Sequence, residues 1–381
     1  MTTTISYCDY NASAPVRPEA AAAVAAALAA GGNPSSVHAR GRTARAAVEA
    51  ARAEVAALAG AAPEEVVFTS GGTEANALAL GGVRAAAVIT SAIEHDSVLA
   101  AAPDALRVPV DGDGVVDLGA LDALLARAPA PALVSVMMAN NETGVVQPVA
   151  EVVSIARRHG ALVHCDAVQA AGRLAIDVAG LGLDLASLSA HKIGGPAGVG
   201  ALVVRDGVAL APLFAGGGQE RRRRAGTENL AGIAGFGVAA RLALEDLATT
   251  ARRAGLRDRF EAEVAALAPE APVYGRGAPR LANTSCIGMP GVAAETQVMA
   301  LDLDGVAVSA GAACSSGKVT RSHVLGAMGV APVPAGEAIR VSLGWHSGED
   351  DVRRLTEAWR RLYLRTRARV RGEMPAAVTA A

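Results

Sequence analysis

The sequence predicts an α/β protein: a mostly parallel sheet with helices on both faces. Two observations carry that reading. Between residues 66 and 204, short apolar runs of strand length alternate with stretches of helical length. Polar clusters follow the apolar runs directly, at 70–73, 93–95, 140–141, 166–169 and 189–192. In open parallel sheets ligands lie outside the C-terminal ends of the strands, so these exits are expected to meet at one crevice.

Taken in order, residues 1–15 look extended and rich in turns. Arg17-Pro18 opens an Ala-rich helix that Gly31-Gly32 stops, with Pro at an early position and Gly at the end. Residues 33–38 read as a loop and 43–58 as an amphipathic helix. Strands are expected at 66–69, 85–91, 107–110, 133–138, 161–166, 183–189 and 199–204. Helices are expected from 70–74 through 80, and at 97–102, 118–127 and 149–159. Residues 228–268 read as long helix broken near Gly255. After Pro269 the pattern changes to short strands near 283–288, 305–309 and 338–343, with helices at 293–301 and 349–368. That is a second, smaller α+β domain, which also takes in the N-terminal segment. The expected division is 16–250 against 1–15 plus 251–381, with a frayed tail after 369.

A chain of 381 residues is long enough for two cores. With 51% hydrophobic and 19% charged residues it should be globular. Aromatics make up only 3%, so the core must be Ala, Val and Leu packed closely. The net charge of −2 gives no electrostatic case for nucleic acid or an anionic membrane. The Ala-rich stretch 20–30 is too short to span a bilayer. Cys8, Cys165, Cys286 and Cys314 lie far apart, with no CxxC pair, which is neither a disulfide framework nor a zinc signature. The start MTTTISYCDY has no basic region followed by an apolar stretch. A cytoplasmic setting with reduced thiols is expected.

Lys192 stands out among the polar exits. It follows an apolar strand through Ser189, Ala190 and His191 and runs into a Gly-rich turn. Apolar and Gly neighbours would hold its head in a confined, partly dry place, which lowers a lysine's pKa and suits it to imine chemistry. The reading is a Schiff base to pyridoxal phosphate (PLP). Gly71-Gly72-Thr73 at a helix start is a phosphate cradle, with free N–H groups and a hydroxyl donor. Asp166 ends an apolar strand and needs a cation or donors; the protonated pyridine nitrogen would serve, and a satisfied helix cap is the alternative. His95 could stack on the ring and move protons, or simply be a loop histidine bonded to backbone. Cys314 lies among small residues, 308–318, with no apolar pattern to bury its thiol, unlike Cys165 and Cys286, which read as small buried hydrophobes. Cys8 is undecided. Arg340 alternates with apolar residues on a strand, where a guanidinium needs a partner; a substrate carboxylate gripped bidentately would supply one.

Together these stretches spell a family. The chain resembles the cysteine desulfurases, PLP enzymes of the class V aminotransferase fold. The matching stretches are 9–15, 33–38, 68–76, 94–95, 140–147, 164–169, 187–200, 217–229, 310–316 and 340–344. The segment between Cys314 and Arg340 looks like the longer catalytic loop of the subgroup serving general iron–sulfur and nitrogenase cluster assembly. The resemblance implies a PLP-dependent transferase fold of aspartate aminotransferase type, with a mostly parallel seven-stranded sheet in the large domain. It implies that Lys192 holds PLP, Asp166 pairs with the pyridine nitrogen, and Gln169 meets the ring oxygen. Gly72, Thr73, Ser189 and His191 would hold the phosphate, with Thr227 reaching in from the second subunit of a homodimer. His95 would move protons, and Asn141 and Arg340 would orient L-cysteine. Cys314 would take the sulfur as a persulfide, leaving alanine, and pass it to an iron–sulfur scaffold protein or another acceptor. No resident metal is implied, although Cys314 could ligate a nascent cluster transiently.

Rival readings make different demands. An aminotransferase needs no thiol, and a selenocysteine lyase is separated by its substrate. An idle homologue acting as a binding subunit would be colourless. An NAD-binding protein would need GxGxxG after its first strand, which Ser70-Gly71-Gly72-Thr73 does not supply.

Overall fold

The computed structural model describes residues 5–311 and 321–370. Twelve strands run through them: β1 Ser6–Tyr7, β2 Val66–Thr69, β3 Ala87–Ser91, β4 Leu106–Val108, β5 Ala132–Ser135, β6 Leu162–Asp166, β7 Leu185–Ser189, β8 Gly200–Val204, β9 Thr284–Gly288, β10 Val306–Ala307, β11 Ser309–Ala310 and β12 Ala338–Ser342. Seven of them form one sheet in the order β2-β8-β7-β6-β5-β3-β4. Within it β8 is antiparallel to both its neighbours, β2 and β7, and the remaining pairs are parallel. The fold is thus α/β with a mostly parallel seven-stranded sheet. Strands β2, β5, β7 and β8 are buried along their whole length, as apolar and small residues on both faces require.

Because β8 alone is reversed, β2, β3, β5, β6 and β7 all end at the same edge. The polar clusters after them therefore share that edge. Two glycines hold the edge tight. Gly200 opens β8 where an added Cβ would lie 2.6 Å from the main chain of Gly71, so no side chain fits. Gly144 has φ +76° and would bring a Cβ within 2.8 Å of Thr284, closing the loop after β5 against β9.

The rest of the chain builds a second core. Strands β11, β12 and β9 form an antiparallel sheet, and β1 pairs in parallel with β10, so the N-terminal segment does join the later part of the chain. Helices Thr250–Leu267 and Glu349–Val370 pack here through Leu256, Phe260, Val264, Val352, Leu355 and Trp359. Trp359 is fully buried and stacks on Tyr363 at 5.4 Å. The larger core, around β2 and β5 to β8, draws on Ala, Val, Leu and Ile with few aromatics, in keeping with the composition.

Several boundaries differ from expectation. The expected strand 305–309 is two short strands, β10 and β11, that pair with different partners. The long helix breaks at Asp246–Thr249, not near Gly255. Gly255 is exposed inside helix Thr250–Leu267, where a glycine costs only about 1 kcal/mol. At the true break, Arg17 draws the Asp246 carboxylate at 2.5 Å, and Arg253 donates to the Asp246 carbonyl at 3.0 Å. Residues 321–338 hold two short helices, His323–Ala327 and Pro332–Ala335. Of the frayed tail expected after 369, Val370 closes the last helix and residues 371–381 lie outside the described residues.

Candidate active site

A cavity of about 320 Å3 opens at the shared strand edge. Gly72, Thr73, His95, Asn141, Asp166, Gln169, Ser189, His191, Lys192 and Arg340 all line it. Ten of the twelve residues singled out from sequence thus face one cleft. Thr227 is exposed and does not line it. Cys314 lies outside the described residues.

Strand β7 delivers Ser189 and then a single 3-10 turn, Ala190–Lys192. The Lys192 ammonium donates to the main-chain oxygens of Asn11 at 2.7 Å and Ala12 at 2.8 Å. The Ser189 hydroxyl is buried and has no partner among the described residues. His191 Nδ1 lies 3.3 Å from Ser13 Oγ. Burial, with help from Lys192 and Arg173, pushes the His191 imidazole down to about 4, so it is neutral at ordinary pH.

Strand β6 delivers Asp166, buried at the floor. Its Oδ1 accepts from the Val168 N–H at 3.0 Å and its Oδ2 from the Asn76 amide at 2.8 Å. Both partners are neutral. The helix cap that was the alternative does not form: a local turn through Val168, not a helix, follows Asp166, and a buried carboxylate with only neutral donors among the described residues calls for a cation.

Asn76 carries the network onward. The same amide nitrogen donates to Ser97 Oγ at 2.9 Å, and Ser97 Oγ lies 2.8 Å from His95 Nδ1. The Ser97 N–H also donates to that Nδ1, at 3.1 Å, making His95 the cap of helix Asp96–Ala101. Ser97 Oγ accepts from Asn76, so its own proton goes to His95. Nδ1 is then an acceptor twice over, and the hydrogen-bond network assigns the proton of neutral His95 to Nε2. The bond to backbone expected of a loop histidine is present, and the same ring lines the cleft.

Asn140 and Asn141 part company. Asn140 accepts from the N–H groups of Glu142 and Thr143 and donates to Ile93, so it shapes the loop. Asn141 lines the cleft, and its carbonyl accepts from Asn11 at 3.1 Å and Arg340 at 3.2 Å. Gln169 donates to the Asn11 carbonyl at 3.0 Å and accepts from Arg173. Arg340 comes from β12 and reaches the cleft from the second core. The partner that its buried position requires is Asp9, at 2.8 Å, while its Nε has none among the described residues.

Sequence reasoning gave no role to Asp9, Asn11, Asn76, Ser97 or Arg173. The first three lie in stretches that carried the resemblance, 9–15 and 68–76, so a signal was present. Arg173 bonds Gln169 four residues back, but its bonds to Tyr10 and Lys192 form only in the folded chain.

The residues present fit PLP. The orphaned Ser189 hydroxyl, together with Gly72 and Thr73 at the start of helix Gly72–Gly82, forms a donor set for a phosphate. Asp166 offers the buried carboxylate that a protonated pyridine nitrogen needs, and Lys192 lines the same cleft.

Comparison with known proteins agrees with this geometry. The aminotransferase class-V family model matches residues 6–355. The cysteine desulfurase of Cereibacter sphaeroides is 47% identical over 92% of this chain and 94% of its own length. The cysteine desulfurase IscS of Dictyoglomus turgidum is 40% identical over 91% of each chain. The X-ray structure of a NifS-like protein from Rickettsia africae superposes with a TM-score of 0.88 at 35% identity, covering 94% of this chain and 99% of that one. The chain belongs to the class-V aminotransferase family, among the cysteine desulfurases. That family is PLP-dependent.

Proposed function

We propose that the chain takes sulfur from L-cysteine, releasing L-alanine and leaving a persulfide on Cys314. The observation that carries the reading is the single cleft that gathers Lys192, Asp166, His95, Ser189, Asn141 and Arg340. When bound, PLP supplies the electron sink that labilises the amino acid's Cα proton. Lys192 is the group to hold it, with Asp166 at the pyridine nitrogen, Gln169 at the ring oxygen, and Gly72, Thr73, Ser189 and His191 at the phosphate. His95 moves protons at its Nε2, the nitrogen that its network leaves protonated. Arg340, held in place by Asp9, and Asn141 orient the substrate carboxylate. The Cys314 thiolate attacks the substrate sulfur; the new S–S bond forms as the Cβ–S bond breaks, and Cβ takes a proton. One thiol and one cysteine become one persulfide and one alanine.

The other thiols support that choice of nucleophile. Cys8, Cys165 and Cys286 are free and buried, and burial pushes Cys8 up to about 12 and the other two upward as well. Reduced thiols also fit a cytoplasmic setting, and no helix among the described residues is long and apolar enough to cross a membrane. The working unit is a homodimer. Thr227 is exposed on its own chain, and Leu213 and Phe214 nearby are exposed apolar residues, as expected of a segment that reaches a second subunit's phosphate site. The two cores support a division at 16–250 against 1–15 plus 251–381. The persulfide sulfur goes to an iron–sulfur scaffold protein or a similar acceptor.

The test is alanine formed from L-cysteine by purified protein with a reductant present. Stoichiometric alanine and sulfide are expected. A yellow protein that makes no alanine overturns the reading. Cys314→Ala should keep the cofactor colour and lose sustained sulfide release; unchanged turnover removes Cys314 from the mechanism. Lys192→Ala should abolish turnover.

A further inference from the structure

A second, much smaller cavity, of about 30 Å3, shares Lys192 with the cleft. Its lining is unusual in charge. Arg17, Arg173 and Arg253 all face it, each only 7% exposed, and Asp246 is the one carboxylate among the described residues that line it. Arg17 already pairs with Asp246 at 2.5 Å. Arg173 donates only to neutral groups: the carbonyls of Gln169 at 2.7 Å, Tyr10 at 3.4 Å and Lys192 at 3.4 Å, and the Gln169 side chain. Arg253 likewise donates to the Asp246 carbonyl at 3.0 Å and to the hydroxyls of Thr249 at 3.2 Å and Thr250 at 3.4 Å. Among the described residues, then, neither of these two buried guanidiniums has an ion pair of its own, and Asp246, the carboxylate that faces them, is already bonded to Arg17, an arrangement that costs free energy unless an anion joins them. Burial and the nearby Arg253 and Arg340 push Arg173 down to about 9, the mark of that missing charge.

We propose that this cavity is a binding site for one small monoatomic anion, chloride under ordinary conditions, held by Arg173 and Arg253. At about 30 Å3 the cavity has room for an ion about the size of a water molecule beside the two guanidiniums. The site is separate from the one read as holding the PLP phosphate, and none of the donors assigned to that phosphate lines it. Arg173 also fixes the Gln169 side chain and the Lys192 carbonyl, so occupancy stiffens the turn that carries the lysine.

The experiment compares the melting temperature of the PLP-loaded protein in sodium chloride, sodium bromide, sodium gluconate and sodium sulfate at equal ionic strength. Crystals soaked in bromide are examined for anomalous scattering in parallel. The halides are expected to raise the melting temperature by about 2 °C over gluconate, roughly the shift that a tenfold excess over Kd gives a chain this long. Bromide should give an anomalous peak between Arg173 and Arg253, and Arg253→Gln should abolish the halide difference. Equal melting in chloride and gluconate, a cavity without bromide, or greater stabilisation by sulfate than by chloride would each overturn the proposal. The bromide peak in the unaltered protein decides the matter even where the variant does not fold.

Discussion

Asn76 illustrates how much one side chain carries at this site. A single amide group bonds Asp166 on one side and, through Ser97, orders His95 on the other. Asn76→Ala would leave a buried carboxylate short of a donor and free the Ser97 hydroxyl to turn. The expected result is about a 10- to 100-fold fall in kcat with the fold intact, since an unsatisfied buried partner costs about 1–3 kcal/mol. Alanine release and circular dichroism check it, and wild-type kcat would refute it. Glu94, one residue before His95, makes a second case. It is fully buried, accepts from Ser91 and from the Met137 N–H at 2.9 Å, and burial pushes its carboxyl up to about 8. Folding therefore holds a proton that the unfolded chain releases above its ordinary carboxylate pKa, and this contribution to stability declines as pH rises towards 8. Glu94→Gln mimics the neutral acid without titrating. The variant should gain on the wild type in denaturant midpoint as pH rises through that window, and parallel curves would disprove it. At this scale the sequence showed the residues that follow a strand directly, such as Lys192, Asp166 and His95, because a polar group at the end of an apolar run is a local pattern. It did not show their supports. Asp9 reaches Arg340 across 331 positions, and no local periodicity records that.

Among the elements, the parallel strands were legible because strands buried on both faces must be nearly all apolar or small. The short pairings were not. Val308 separates β10 from β11, and only the partners, β1 on one side and β12 on the other, make them two strands. The helix break at Asp246–Thr249 was missed for the same reason: Arg17 and Arg253 stabilise it, and both act through the folded chain. The C-terminal helix Glu349–Val370 anchors the second core through Trp359. Trp359→Ala should cost about 3–5 kcal/mol, as large-to-small changes in a packed core do. Urea unfolding followed by circular dichroism measures it, and a loss under 1 kcal/mol (about the surface range) would show the core to be loosely packed there.

For the whole molecule, the convergence of five strand exits at one edge was legible in the alternation of strands and helices, since parallel strands end on the same side. The position of Arg340 was readable only in part. It comes from the second core to the cleft of the first, so the site needs both cores together. The proposed dimer adds a third requirement. Phe214→Asp, on the exposed segment before Thr227, should shift the mass in solution from twice 38.1 kDa towards the single chain and weaken PLP retention in step. A dimer of full strength with normal cofactor content would count against that interface.

The placement of the two tryptophans has an optical consequence. Trp359 lies in the second core, and Trp345 sits under the Arg17 guanidinium at 5.1 Å. Neither lies in the seven-stranded sheet. Intrinsic fluorescence therefore watches the second core through Trp359 and, through Trp345, the seam with the first part, where Arg17 and Lys192 line the same small cavity. Far-ultraviolet circular dichroism sees both cores. If the two signals lose amplitude at different denaturant concentrations, the gap between them is a direct reading of how independently the two halves come apart.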